Sequence, residues 1–327
     1  MVDRRKFLTL AAASLAAPAL SSQRAFAEGF PKNDVKIVVG FEPGGATDVI
    51  ARTMAERLKE VWGKPVAVEN KPGQGGNLAA ELVAKAEADG HTIFIVGPGQ
   101  ALNKFMYPKL NYDPVNDFAP VTLLVSQPNV MAVSTNSQFR SVREFIDYCK
   151  ANPGKATYAS SGAGTSLHLC GELFEHLAKV EMKHVAFKGS EPALREVLLE
   201  RADVIFDNIT SVLPHVMSGG ARALGVTTAK RAPAAPNVPT LIEAGLEGFD
   251  VASWFAFFVP ANTPDKVVQK IHDDAVAALT NDKVTGRLQA LGCNIIGSTP
   301  DELATHMKSE MDRWGPMIVK AGIRVTD

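Results

Sequence analysis

The chain has 327 residues, 46% apolar and 21% charged, with a formal net charge of −1. Those values belong to a globular protein of about two domains and exclude a disordered, collagen-like or coiled-coil chain. The near-zero charge points to no polyanionic partner, so no nucleic acid is expected. No apolar run approaches the roughly 20 residues that span a bilayer. Cys149, Cys170 and Cys293 are too few, and odd in number, for a disulfide framework.

Residues 1–27 read as an export signal. Asp3-Arg4-Arg5-Lys6-Phe7-Leu8 supplies a charged start, Leu10 to Leu20 an Ala-rich apolar stretch, and Ala25-Phe26-Ala27 a cleavage site. The paired arginines resemble a twin-arginine signal. Cleavage near Ala27 removes four basic residues and one acid, leaving a mature net charge of −4. An exported chain without a cysteine framework draws its stability from ordinary cores.

The mature chain alternates short β-branched runs with helical stretches. Strands are predicted at Val35–Val39, Val66–Val68 and Thr92–Val96, with helices at Thr47–Trp62 and Leu78–Ala88 between them. The first helix places Ile50, Met54, Leu58 and Val61 on one face and stops at Gly63. A second block predicts strands at Val130–Val133, Ala156–Ala159, His184–Phe187, Val204–Phe206 and Ala223–Val226. Helices over Val142–Ala151, Ser166–Lys179 and Ala193–Leu199 separate them. Two βα blocks argue for two α/β lobes. Ala229 to Pro239, with three prolines, is a surface loop or a return connection. After it come a strand over Ala252–Val259 and a helix opened by Thr263-Pro264-Asp265. The last helix opens with the capping box Thr299-Pro300-Asp301-Glu302 and runs to Ala321, with Gly322 as its stop.

Enzyme motifs are missing: there is no G-x-S-x-G, no phosphate-binding loop with lysine and no H-E-x-x-H. Gly97-Pro98-Gly99 and Gly162-Ala163-Gly164 are incomplete dinucleotide fingerprints, since leucine stands where the third glycine belongs. Ser160, Ser161, His168 and Asp207 could be combined into a hydrolase triad, but nothing places the serine on a strained elbow. His168, Glu172 and His176 share one helix face, yet span roughly 12 Å at 1.5 Å per residue, too far for one metal ion. No cofactor motif is present, and Cys170 reads as core.

Two loops carry the chemistry. Gly40-Phe41-Glu42-Pro43-Gly44-Gly45-Ala46-Thr47-Asp48 and Ser160-Ser161-Gly162-Ala163-Gly164-Thr165-Ser166 each follow a strand and open a helix. Small residues there expose backbone N–H groups at a helix N-terminus, which favours an anion. If the two lobes face each other, the loops form opposite walls of one cleft. Two roles are open to Asp48, capping free N–H groups or meeting a ligand donor. Glu69-Asn70-Lys71-Pro72-Gly73-Gln74-Gly75-Gly76 is a further loop after a strand. Trp254 and Phe255, where the chain crosses back, are read as core rather than ligand wall.

These segments, with Phe187-Lys188-Gly189-Ser190-Glu191-Pro192-Ala193 and Ser253-Trp254-Phe255 leading to Pro260-Ala261-Asn262-Thr263-Pro264, carry a family resemblance. Across the whole mature chain, in order, the sequence resembles the Bug (TctC-like) solute-binding proteins of tripartite tricarboxylate transporters. The resemblance implies an α/β, two-lobe periplasmic binding protein, type II and flytrap-like, each lobe a sheet flanked by helices with the ligand cleft between them. It places lobe 1 at 28–128 plus 249–327 and lobe 2 at 129–248. It implies a monomer in the periplasm that captures a small organic acid and delivers it to membrane transporter subunits or a sensor, with no cofactor and no catalysis. The alternative is an exported α/β enzyme acting on a carboxylate, with Asp48, His168 or Asp207 as its base.

Carried over residue by residue, the resemblance puts Phe41, Gly45, Ala46, Thr47 and Asp48 on one ligand wall. Ser161, Gly162, Gly164, Thr165 and His168 stand on the other, with Asp207 at the rim. Glu42 departs from the proline or small residue usual in the family. It repels a second ligand carboxylate, welcomes an ammonium group, or points to water. Glu200-Arg201-Ala202 replaces the usual glycine pair, which bears on turn geometry.

Overall fold

The alternation of β-branched runs and helices is realised in a computed structural model that describes residues 29–325. The export signal lies outside the described residues. In β1 (Val35–Val39) four valine and isoleucine side chains are buried while Lys36 faces water. Helix α1 (Ala46–Trp62) buries Ile50, Met54 and Leu58 and ends at Gly63, whose φ of 62° is the left-handed geometry of a glycine C-cap. Val61 departs from the predicted face and is 41% exposed; Trp62 packs edge-on against Phe30 instead.

Next come β2 (Val66–Asn70), a 3-10 turn (Gln74–Gly76), α2 (Asn77–Ala84), β3 (Thr92–Val96) and α3 (Gly99–Met106). The 17-residue β4 (Phe118–Ser134) leads to α4 (Val142–Ala151), β5 (Thr157–Ser160), α5 (Ser166–Ala178), β6 (Lys183–Ala186) and α6 (Ser190–Leu198). β7 (Val204–Asn208), α7 (Ile209–Met217) and β8 (Ala221–Val226) complete that block. β9 (Ala252–Pro260), α8 (Asp265–Leu279), α9 (Asp282–Ala290), β10 (Asn294–Ile295) and α10 (Pro300–Ala321) close the chain.

The strand order is β2-β1-β3-β9-β4-β7-β5-β6, with β8 and β10 also pairing with β4. β1 pairs parallel with β2 and β3, and β5 parallel with β6 and β7. Parallel pairs covered on both faces explain the continuous apolar runs. β4 joins the two halves. Its residues from Phe118 to Pro128 pair with β9, whereas Asn129 onward pairs with β7 and β8. The fold is thus two α/β lobes sharing a crossing strand. One core lies under α1, α8 and α9, another under α6 and α7, and a third runs through both lobes beneath α10, through Leu303, Trp314 and Ile318.

Several elements differ from the sequence expectation. The first half of β4 is hidden by Pro120 and Pro128; the register shifts beside Pro120, the bulge geometry in which a strand tolerates proline. α7 contains Pro214, a helix breaker by propensity. α3 begins on the Gly97-Pro98-Gly99 segment, and α9 is short, with only Val284 and Leu288 buried. α8 starts one residue late, with Pro264 as its cap rather than Thr263. The capping box is formed as predicted: Thr299 Oγ1 accepts from Glu302 N–H (3.2 Å) and Glu302 Oε2 from Thr299 N–H (2.8 Å). Glu200 takes the left-handed φ of 58°, a geometry that favours glycine.

Candidate functional site

A narrow cleft, partly open to solvent, lies between the lobes and is lined by residues of both. Seven of the expected residues line it: Phe41, Gly45, Ala46, Thr47 and Asp48 from one lobe, Ser161 and Thr165 from the other. The β1–α1 loop reaches it because Gly44 adopts φ 96° and Gly45 leaves room for Ser190, whose Cβ would lie 3.1 Å from a side chain there. The lobes touch along the rim. Glu42 N–H donates to Lys188 O (3.1 Å), and the Tyr107 hydroxyl donates to Ala163 O (2.8 Å).

Four expected residues stand elsewhere. Gly162 (φ 129°) and Gly164 (φ 84°) sit on the seam, where a Cβ would come within 3.1 Å of Gly75 Cα and 2.4 Å of Asn103 Oδ1 respectively. They keep the seam tight without lining the cleft. His168 lies beneath its loop: Gly164 N–H donates to Nδ1 (3.2 Å), so the ring proton is on Nε2, 3.4 Å from Glu172 Oε1. Its ring stacks on His184 (4.2 Å). Burial, with His168 alongside, pushes His184 down to about 4. Among the described residues no group of three His, Cys, Asp or Glu could hold a metal ion. Asp207 is fully buried rather than at the rim. Its Oδ1 accepts from Ser190 Oγ (2.6 Å) and Asn208 N–H (2.7 Å), and through them it positions two residues that do line the cleft.

Asp48 lines the cleft and is also held from within its own lobe. Arg52 donates to both oxygens (2.9 Å each), Asn70 Nδ2 to Oδ1 (2.9 Å) and Gly44 N–H to Oδ2 (3.1 Å). Burial raises its carboxyl, but these bonds outweigh burial and hold it below the usual range. Asn70 Nδ2 also donates to Phe41 O (3.0 Å), so one carboxylate, through Asn70 and Gly44, fixes the whole loop.

The convergence of helix starts exceeds what the sequence suggested. The N-terminal residues of α1, α3, α5, α6 and α7 all contribute to the lining: Ala46, Gly99, Ser166, Ser190 and, at the α7 cap, Asn208. None of the five has a side-chain cap. Each aims the positive end of its dipole at the same space, although at α3 Gln100 N–H donates to Gly97 O (3.0 Å), and at α7 Asn208 N–H donates to Asp207 Oδ1 (2.7 Å) and Thr210 N–H to Gln127 Oε1 (3.3 Å). Among the described residues, no lysine or arginine lines the cleft. Sequence reasoning missed Pro98, Gly99, Ser190 and Asn208 as wall residues; Phe255, read as core, is buried in the first-lobe core and also borders the cleft. The available signal was position: each lies at or just after the C-terminal end of a strand, the ligand end of an α/β sheet.

The family described as tripartite tricarboxylate transporter family receptor (TctC) matches residues 50–323. A UPF0065 protein from the tcbD-tcbE intergenic region of Pseudomonas sp. (strain P51) is 38% identical over 320 residues, covering 98% of this chain and 95% of that one. An R. palustris protein solved with adipate superposes at TM-score 0.88 with 36% identity, over 90% of this chain and all of that one. MatC from Rhodopseudomonas palustris with bound malate superposes at TM-score 0.85 with 33% identity, over 88% of this chain and all of that one.

Proposed function

The chain belongs to the tripartite tricarboxylate transporter receptor family, TctC, and on that premise we propose that it is an exported solute-binding protein that captures a small organic acid. The observation that carries the reading is the meeting of five uncapped helix N-termini in one cleft without a basic side chain. Backbone N–H groups and helix dipoles hold a carboxylate there without a counter-ion to desolvate. Solved relatives with adipate and malate agree with a carboxylate ligand. The lobes, 28–128 with 249–327 and 129–248, close as a hinge about the β4 crossing, and no bond is made or broken. The protein works as a monomer in the periplasm and delivers its ligand to the membrane subunits of a transporter. Phe41, Gly45, Ala46, Thr47, Ser161 and Thr165 form the ligand walls. Asp48, Gly162, Gly164, His168 and Asp207 hold those walls in place.

Thermal unfolding of the mature protein against a panel of organic acids and their uncharged amides tests this. A ligand at 100 times its Kd adds about 2.7 kcal/mol, a shift of several degrees. A shift with an acid and none with its amide is expected. Stabilisation by neither, or chemical conversion of an acid on incubation, overturns the reading in favour of an enzyme.

A further inference from the structure

The helix N-termini account for one end of a ligand; two acceptors on the same cleft set the requirement at the other. Glu42 lines the cleft and is half-buried, and among the described residues its carboxylate makes no ion pair and no hydrogen bond. Its backbone is held by Lys188 O, and Gly189 packs so close that a Cβ there would lie 3.1 Å from Glu42 N. Asn208 lines the cleft at 6% exposure, and its Oδ1 is buried without a hydrogen-bond partner. The amide orientation follows from Asp207. Nδ2 lies 3.5 Å from Asp207 Oδ1, and reversing the amide would set two oxygens against each other. Ser190 lines the same cleft, next in chain to Gly189, and its hydroxyl donates to Asp207, which also accepts from Asn208 N–H.

A carboxylate and a buried carbonyl oxygen share one need, a donor with positive charge. A second ligand carboxylate would satisfy neither and would face Glu42 in a partly desolvated space. We infer that the cleft takes a zwitterionic acid, its carboxylate at the helix N-termini and its ammonium group held by Glu42 and Asn208 Oδ1. Glu42 is the residue that selects against dicarboxylates. The inference rests on the carboxylate reading above.

Calorimetric titration of the mature protein and its Glu42→Gln variant with matched probes tests it. The sets are 6-aminohexanoate, adipate and hexanoate; 3-aminopropanoate, succinate and propanoate; and alanine, methylmalonate and lactate. In at least one set the ammonium acid should bind the native protein tenfold or more tighter than its uncharged-tail and anionic counterparts. Glu42→Gln should weaken the ammonium acid at least tenfold and tighten the dicarboxylate. Native protein that prefers a dicarboxylate, or a Glu42→Gln variant with an unchanged preference, overturns the Glu42 inference and leaves carboxylate capture standing. No binding of any acid in any set overturns both.

Discussion

Asp48 and Asp207, two aspartates expected at the site, are both buried, yet their carboxyls shift in opposite directions because their partners differ. The Asp48 carboxylate is surrounded by donors, Arg52 foremost, and is held ionised. Asp207 receives only neutral donors, and its Oδ2 has no partner, so burial pushes it up to about 6. A carboxyl raised in the folded state adds stability that is complete below the unfolded value of 3.8 and is lost as pH rises to about 6. The shift corresponds to about 3 kcal/mol. Denaturant unfolding at pH 4 and pH 7 should therefore show the native protein losing about 2 kcal/mol more than Asp207→Asn over that interval. Parallel behaviour of the two would show that Asp207 is ionised in the fold. The Asp48–Arg52 pair was legible in the sequence, as an acid and a base four apart on a helix. The Asp207 surroundings were not, because Ser190 reaches it from a different element.

At the scale of elements, glycine decides whether the lobes can close. Gly75 and Gly63 share a φ of 62°, but only Gly75 has a neighbour across the seam: a Cβ there would stand 2.2 Å from Ala163 O. Gly63 has open space around it. Both alanine substitutions should cost about 1–2 kcal/mol from the left-handed backbone. Gly75→Ala should in addition lower ligand affinity tenfold or more, and small-angle scattering should show it failing to contract when ligand is added. Gly63→Ala should bind and contract normally. Equal binding by the two variants would mean that the seam does not close on the ligand. The glycine-rich loops were visible as strand–loop–helix patterns. Which glycine lines the cleft and which packs the seam was not, since that depends on the facing lobe.

For the whole molecule, stability comes from three apolar cores and no cross-link. Cys149, Cys170 and Cys293 are buried and free, and burial pushes their thiols up to about 12, 12 and 11. Iodoacetamide should leave all three unmodified in native buffer and label all three in denaturant, as read by intact mass; a reductant should leave the Tm unchanged. Modification of any one under native conditions would place that thiol at the surface. The lobes are tied by β4 and by the return into β9, and α10 packs on α3 and β4.

Local physics accounts for what the sequence alone determined. Val35–Val39 and Thr92–Val96 are strands because β-branched runs between turn residues suit a covered sheet, and α10 starts and stops where its capping box and Gly322 dictate. The two-lobe α/β class and the anion-favouring loops follow from the same short-range patterns. Tertiary structure decided the rest. The proline-bearing half of β4 becomes a strand only because β9 supplies its partners, and α7 forms around Pro214 because Ile209, Val212 and Leu213 are buried in the second lobe. Whether Asp48, His168 or Asp207 faces a ligand or braces a wall depends on atoms far away in the chain. No periodicity encodes those positions, and the meeting of five helix starts in one cleft exists only once both lobes are assembled.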